Sequence, residues 1–206
     1  PLNKIESIPP EIGHLTNMIS LEVQGNRLRS LPTELGLLTN LLKLDICSNF
    51  VEALGESVCH LTNLQRLRAR ANNIATIHPN IKLLQSLAIL DLRQNMLKSL
   101  PEDMFLPSLD KLWLSENEIE TVPEQFGQLQ YVSEIDLAYN KLTSLMSLKN
   151  LSTLKRLWAP FNLLESFPDD ELCNLACLIE LDLRGNKLKS LPNRFGDMRS
   201  LQFLFL

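Results

Sequence analysis

The sequence predicts an α/β solenoid, a coil of short repeated turns with a parallel β-sheet along its concave side. Three observations predict it. Asparagines recur at near-constant spacing, each sits in the same apolar frame, and the stretches between them place apolar residues about three apart.

The asparagines set the period. Asn3, Asn26, Asn49, Asn72, Asn95, Asn117, Asn140, Asn162 and Asn186 are separated by 22 to 24 residues. From Asn26 on, the frame reads apolar-x-x-apolar-x-apolar-x-x-Asn-x-apolar, as in "LLKLDICSNFV" from 41 and "LDKLWLSENEI" from 109. Ala69 and Ala159 stand in the third strand slot as small departures. Apolar-x-apolar alternates at period two, which suits a short strand with one buried face. One such unit cannot bury its apolar edge alone, so neighbours must stack into a continuous core.

Each Asn follows the strand, where the chain turns and buried backbone groups lack ladder partners. Its short side chain offers two donors and an acceptor oxygen. Asn26, Asn49, Asn72, Asn95, Asn117, Asn140, Asn162 and Asn186 are therefore expected to form a structural ladder, not a catalytic set. Two strands are nearly identical: "LDLRQNMLKSLP" at 90–101 and "LDLRGNKLKSLP" at 181–192. They differ at Gln94/Gly185 and Met96/Lys187, beside the Asn. The shared Asp91/Asp182 and Arg93/Arg184 are expected to be exposed.

The outer segments vary. "TELGLLTN" from 33 and "EQFGQLQY" from 124 suit a short helix or 3₁₀ turn. After Asn140, Leu142, Leu145, Leu148, Leu151 and Leu154 run at strict threes, and a more helical segment is expected there. The unit after Asn162, "LLESFPDDELCNLACL", gains a residue. The whole of 1–206 reads as one domain of about eight complete repeats with partial repeats at both ends. It has no initiator Met and no polar cap after "LQFLFL", so further chain or a docked neighbour is expected at the uncapped ends.

This pattern resembles the leucine-rich repeat family over essentially the whole chain. The resemblance implies a right-handed horseshoe with a parallel concave sheet. The 23-residue length and the recurring Leu-Pro, as in Leu31-Pro32, Leu100-Pro101 and Leu191-Pro192, look like the intracellular Ras-group class. That class includes the Scribble and Erbin scaffolds and the repeat domains of Roco GTPases.

Composition narrows the partners. A net charge of −4 gives no long-range attraction to nucleic acid or anionic membrane. No apolar run approaches the roughly 18 residues of a membrane span. Cys47, Cys59, Cys173 and Cys177 form no Cys-x-x-Cys pair and stand away from His in metal-ligand spacing. They read as reduced, mostly buried thiols, and the expected localisation is cytoplasmic. His14, His60 and His78 fall in different repeats, and no phosphate loop or catalytic motif accompanies them. No enzyme activity, cofactor or metal is expected.

Function in a solenoid is expected on the concave face, whose letters are the x positions of each strand. Two clusters stand out. Trp113, Tyr139, Trp158 and Phe161 are aromatic; Trp and Tyr are enriched among interface hot spots. Arg66, Arg68, Arg70 and Arg93, with Lys43 nearby, are basic. Asp45 and Asp91 flank Arg68 and are expected to pair with it, leaving Arg66, Arg70 and Arg93 incompletely paired. The aromatics are not interleaved with the arginines, which argues against nucleic acid. The leading expectation is a non-enzymatic scaffold or adaptor that binds protein partners through its concave face. The resemblance adds small GTPases and other signalling proteins as partners. The alternatives are an architectural subunit of a cytoskeletal or ciliary assembly, and the recognition arm of a Roco GTPase, phosphatase or ubiquitin ligase.

Overall fold

A strand of three residues cannot hold itself together, so every strand here is defined by its neighbours. The computed structural model describes residues 2–167 and 172–206. In chain order the strands are β1 Ser20–Glu22, β2 Lys43–Asp45, β3 Ala53–Leu54, β4 Arg66–Arg68, β5 Thr76–Ile77 and β6 Ile89–Asp91. They continue as β7 Lys111–Trp113, β8 Glu134–Asp136, β9 Arg156–Trp158, β10 Glu180–Asp182 and β11 Phe203–Phe205. Nine form one parallel sheet in the order β1-β2-β4-β6-β7-β8-β9-β10-β11. Strands β3 and β5 pair separately on the flank.

The register is one repeat per rung. Leu44 opposes Leu67, Leu67 opposes Leu90, and Leu112 opposes Ile135. These central residues are at most 1% exposed, so the middle of every inner strand points into the core. Burying a leucine side chain stabilises by about 1.5–3 kcal/mol. Because every repeat supplies several, the core is a continuous spine along the coil. Backbone bonds continue past each strand: Ile46 N–H donates to Arg68 O and Ser48 N–H to Arg70 O, both at 2.8 Å.

The asparagine ladder follows at once. Asn49 Oδ1 accepts from Leu28 N–H at 3.0 Å, while its Nδ2 donates to Ile46 O at 3.0 Å and to Val23 O at 3.1 Å. It therefore ties its own strand exit to the preceding repeat. Asn72, Asn95, Asn117, Asn140, Asn162 and Asn186 repeat the same three bonds, and Asn26 accepts from Ile5 N–H and donates to Val23 O.

The residue before each Asn is left-handed. Gly25 and Gly185 have φ of 67° and 66°, and Ser48, Ala71, Gln94, Glu116, Tyr139 and Phe161 lie between 53° and 57°. This single residue turns the chain off the strand and aims the Asn inward. A side chain there costs about 1–2 kcal/mol relative to the right-handed region, so six of these turns are held under strain by the ladder around them.

The outer side is mainly 3₁₀. Five-residue turns occur at Pro10–His14, Thr33–Leu37, Pro79–Leu83, Glu124–Gln128 and Asn193–Asp197. Among the described residues one short α-helix, α1, spans Glu56–Cys59. The more helical segment expected after Asn140 is not there: only Met146–Leu148 is helical, as a 3₁₀ turn. The strict spacing of three is itself the reason. It matches the 3.0 residues per turn of a 3₁₀ helix, whereas an α-helix needs 3.6. All five leucines of that run are still buried. The lengthened unit after Asn162 lies partly outside the described residues.

Candidate functional site

The outward residues of the inner sheet form straight columns because the register never slips. The first column, Lys111, Glu134, Arg156 and Glu180 on β7 to β10, alternates in sign. Lys111 Nζ is 3.3 Å from Glu134, whose carboxylate also takes Arg156, and Arg156 Nε is 3.6 Å from Glu180. Glu180 in turn accepts from Trp158 Nε1 at 2.8 Å. This half of the face neutralises itself.

The second column alternates aspartate and tryptophan: Asp91, Trp113, Asp136, Trp158, Asp182. Asp45, Asp91, Asp136 and Asp182 each accept a bond from the backbone N–H two residues on, at 3.0 to 3.3 Å. Such local bonds are what short acidic side chains do best. The expectation of exposed Asp91 and Asp182 is corrected, since they are 3% and 4% exposed. Arg93 and Arg184 fold back over them, with guanidinium-to-carboxylate distances of 2.7 and 2.6 Å. The hydrogen bond to Asp91 drives the Arg93 guanidinium further up from its ordinary pKa, and that to Asp182 does the same for Arg184.

Two expectations about the basic cluster change accordingly. Arg93 is not free, because it is fork-bonded to Asp91 and lies 4.8 Å over the Trp113 ring. Asp91 does not serve Arg68, although the register places them opposite. An arginine two residues along its own strand reaches it with less loss of side-chain freedom. Arg66, Arg68 and Arg70 are exposed, as is Lys43, and among the described residues none has an ion-pair partner. Arg70 Nε donates to Gln94 Oε1 at 2.9 Å.

The four aromatics divide into two settings. Trp113 and Trp158 are half-buried and engaged, the first by Arg93 and Lys111, the second by Glu180. Tyr139 and Phe161 sit on the rim, in the left-handed column, with ring centroids 4.5 Å apart and planes 16° from parallel. They are 54% and 47% exposed. The largest free aromatic surface among the four is therefore the rim stack, not the tryptophan column. The rim follows the column of residues before each Asn, which spacing places at the edge of the concave face without showing its side-chain bonds. It runs Arg70, Gln94, Glu116 through hydrogen bonds, with Gln94 Nε2 3.0 Å from Glu116. The signal for it was Gly25 and Gly185 immediately before Asn, since glycine marks a left-handed turn.

A leucine rich repeat model matches residues 85–142, and a second matches 177–198. Nine parallel rungs, the asparagine ladder and these matches point to one fold. The fold is a leucine-rich repeat solenoid. A leucine-rich repeat protein of Leptospira interrogans is 32% identical over 99% of this chain, with a TM-score of 0.79, and the chain spans 58% of it. The plant peptide hormone receptor RGFR1, solved in complex with RGF2, is 30% identical over 97%, with a TM-score of 0.87. The ectodomain of the Arabidopsis thaliana membrane receptor kinase GASSHO1/SCHENGEN3, solved with CASPARIAN STRIP INTEGRITY FACTOR 2, is 28% identical over 98%, with a TM-score of 0.83. The chain spans 33% and 25% of those two receptors. Among curated proteins, none matches the sequence. Leucine-rich repeat modules generally mediate protein–protein interaction. Among the described residues no helix is long and apolar enough to cross a membrane.

Proposed function

We propose that this leucine-rich repeat domain is a non-enzymatic scaffold or adaptor module that binds protein partners through its concave face and rim. The observation that carries this reading is the Tyr139–Phe161 stack. Both rings occupy left-handed positions where glycine is the relaxed choice, and both are exposed. The strain is common to all six non-glycine turns and belongs to the scaffold; what sets these two positions apart is their exposed aromatic surface, of the kind that interfaces bury. The half-buried Trp113 and Trp158 give that contact a rigid apolar floor, fixed by Arg93 and Glu180. The plant peptide hormone receptor RGFR1 was solved in complex with RGF2, which supports the same kind of use here.

The 23-residue repeat and its Leu-Pro signature support placement in the intracellular Ras-group class, with a small GTPase or another signalling protein as partner. The free thiols of Cys47, Cys59 and Cys177 agree with a reducing cytoplasm. The test has two steps. A partner is first captured from native extract, and its affinity is then measured for the wild type and for Tyr139→Ser/Phe161→Ser. Removal of hot-spot rings costs about 2 kcal/mol or more, roughly thirtyfold in Kd. An unchanged affinity, with unchanged thermal stability, sinks the reading.

A further inference from the structure

On this face a cation is normally answered one rung away, as Lys111, Glu134, Arg156 and Glu180 show. The first column of β1, β2, β4 and β6 breaks that habit. It reads Ser20, Lys43, Arg66, Ile89, so Lys43 and Arg66 stand directly opposite each other with no acid on either side. Like charges opposite one another across a strand pair are destabilising. Arg68 and Arg70 extend the charge along the same edge of the repeat, at every second residue from Arg66. None of the four has an ion-pair partner among the described residues.

The nearby acids do not discharge the cluster. A shallow depression is lined by Glu22, Lys43, Asp45, Arg66 and Arg68. Asp45 is bonded to the Cys47 N–H, and Asp91 is held by Arg93. The protein as a whole is acidic at −4, yet here it gathers Lys43, Arg66, Arg68 and Arg70 around three carboxylates, Glu22, Asp45 and Asp91, two of them already engaged.

We infer that the β2–β4 segment of the concave face docks an extended, carboxylate-rich segment of a protein partner, held by Lys43, Arg66, Arg68 and Arg70. The proposal rests on the concave-face reading and assigns it a chemistry at its N-terminal end. Successive same-side residues of an extended chain lie about 6.6 Å apart, the spacing at which Arg66 and Arg68 leave β4, with Arg70 two residues beyond the strand end. Acids at every second position of the guest therefore match the host. Guanidinium groups supply the fork that carboxylates accept.

The probe is a fluorescein-labelled peptide of alternating Ser and Glu, compared by fluorescence anisotropy with its Ser/Gln counterpart at low salt. The Glu peptide is expected to bind at least about tenfold more tightly, and added salt is expected to weaken it. Arg66→Ser/Arg68→Ser is expected to lose about tenfold or more, since two charge-assisted bonds to the peptide carboxylates are removed. Thermal stability of that variant is expected to be unchanged or raised, because a like-charge pair is relieved. Arg27→Ser/Arg29→Ser removes the same charge from the flank and controls for bulk attraction. Equal loss in both variants, equal binding of the Gln peptide, or tighter binding of a single-stranded oligonucleotide overturns the proposal. The captured-partner test on Tyr139 and Phe161 reads the concave-face assignment separately, so either can fail alone.

Discussion

The Phe161 ring lies where a side chain on Gly185 would begin: a Cβ built at Gly185 falls 2.5 Å from Phe161 Cδ1. This contact accounts for the glycine at the first of the two positions where the matching stretches differ, Gln94/Gly185. Before Gln94 in the left-handed column stands Ala71, which leaves room; before Gly185 stands Phe161, which leans over it. Tyr139, Phe161 and Gly185 thus form one stacked unit along the rim.

Gly185→Ala is expected to destabilise by about 2–4 kcal/mol, from left-handed strain plus displacement of the ring. Phe161→Ala in the same chain recovers the steric part and leaves about 1–2 kcal/mol of strain. A double-mutant cycle from urea unfolding measures the coupling, and additive costs would show that the two residues do not touch.

The ladder asparagines carry a larger penalty. Asn117→Ala removes the acceptor for Leu97 N–H and the donor to Leu92 O and Leu114 O. Leu92 O still accepts from Asn95 and Leu114 O from Asn140, so only Leu97 N–H is orphaned. That costs about 1–3 kcal/mol, and the two lost carbonyl bonds add about 0.5–1.5 kcal/mol each, for a total of about 2–6 kcal/mol. Asn117→Asp keeps the acceptor and is expected to lose less near acidic pH, where its carboxyl is protonated and donates. Unfolding midpoints at pH 4 and pH 7 check this.

The two kinds of arginine should separate in a stability assay. Arg93→Ala strips the counter-charge from nearly buried Asp91 and uncovers Trp113, with an expected loss of about 1–3 kcal/mol. Arg66→Ala meets no partner and is expected to stay within about 0.5 kcal/mol of wild type. Equal losses would mean that Arg66 has an intramolecular role.

The thiols should react in order of thiolate and access. Burial, with Asp45 beside it, pushes Cys47 up to about 12, and burial pushes Cys59 up to about 11. The thiolate is the nucleophile, so at pH 8 a Cys47 with that pKa holds only about one part in ten thousand as thiolate. Iodoacetamide at pH 8 is expected to label exposed Cys177 first and to leave Cys47 and Cys59 largely untouched, as read by peptide mass spectrometry. The rate at Cys47 should climb as pH rises toward its pKa. Labelling of Cys47 as fast as Cys177 would contradict the assigned environment.

How much was legible follows from the range of each interaction. The rungs, the buried leucines and the ladder asparagines repeat with the coil, so period alone places them: Leu44, Leu67 and Leu90 had to align once their spacing was known. The sequence also determined which residues face the concave side, because alternation along a strand is a local property. Only the tertiary structure decided who pairs with whom there. Asp91 has Arg68 across the rung and Arg93 along its own strand, and it takes Arg93; spacing ranks neither. Trp113 and Trp158 share a column with the aspartates, yet their exposure depends on Arg93 and Glu180 reaching over them. The necessity of Gly185 is invisible without Phe161, a residue 24 positions earlier whose ring leans across the rung. Backbone periodicity is encoded residue by residue, whereas side-chain partnership is a competition among neighbours brought together by stacking, and it is settled only when the coil is closed.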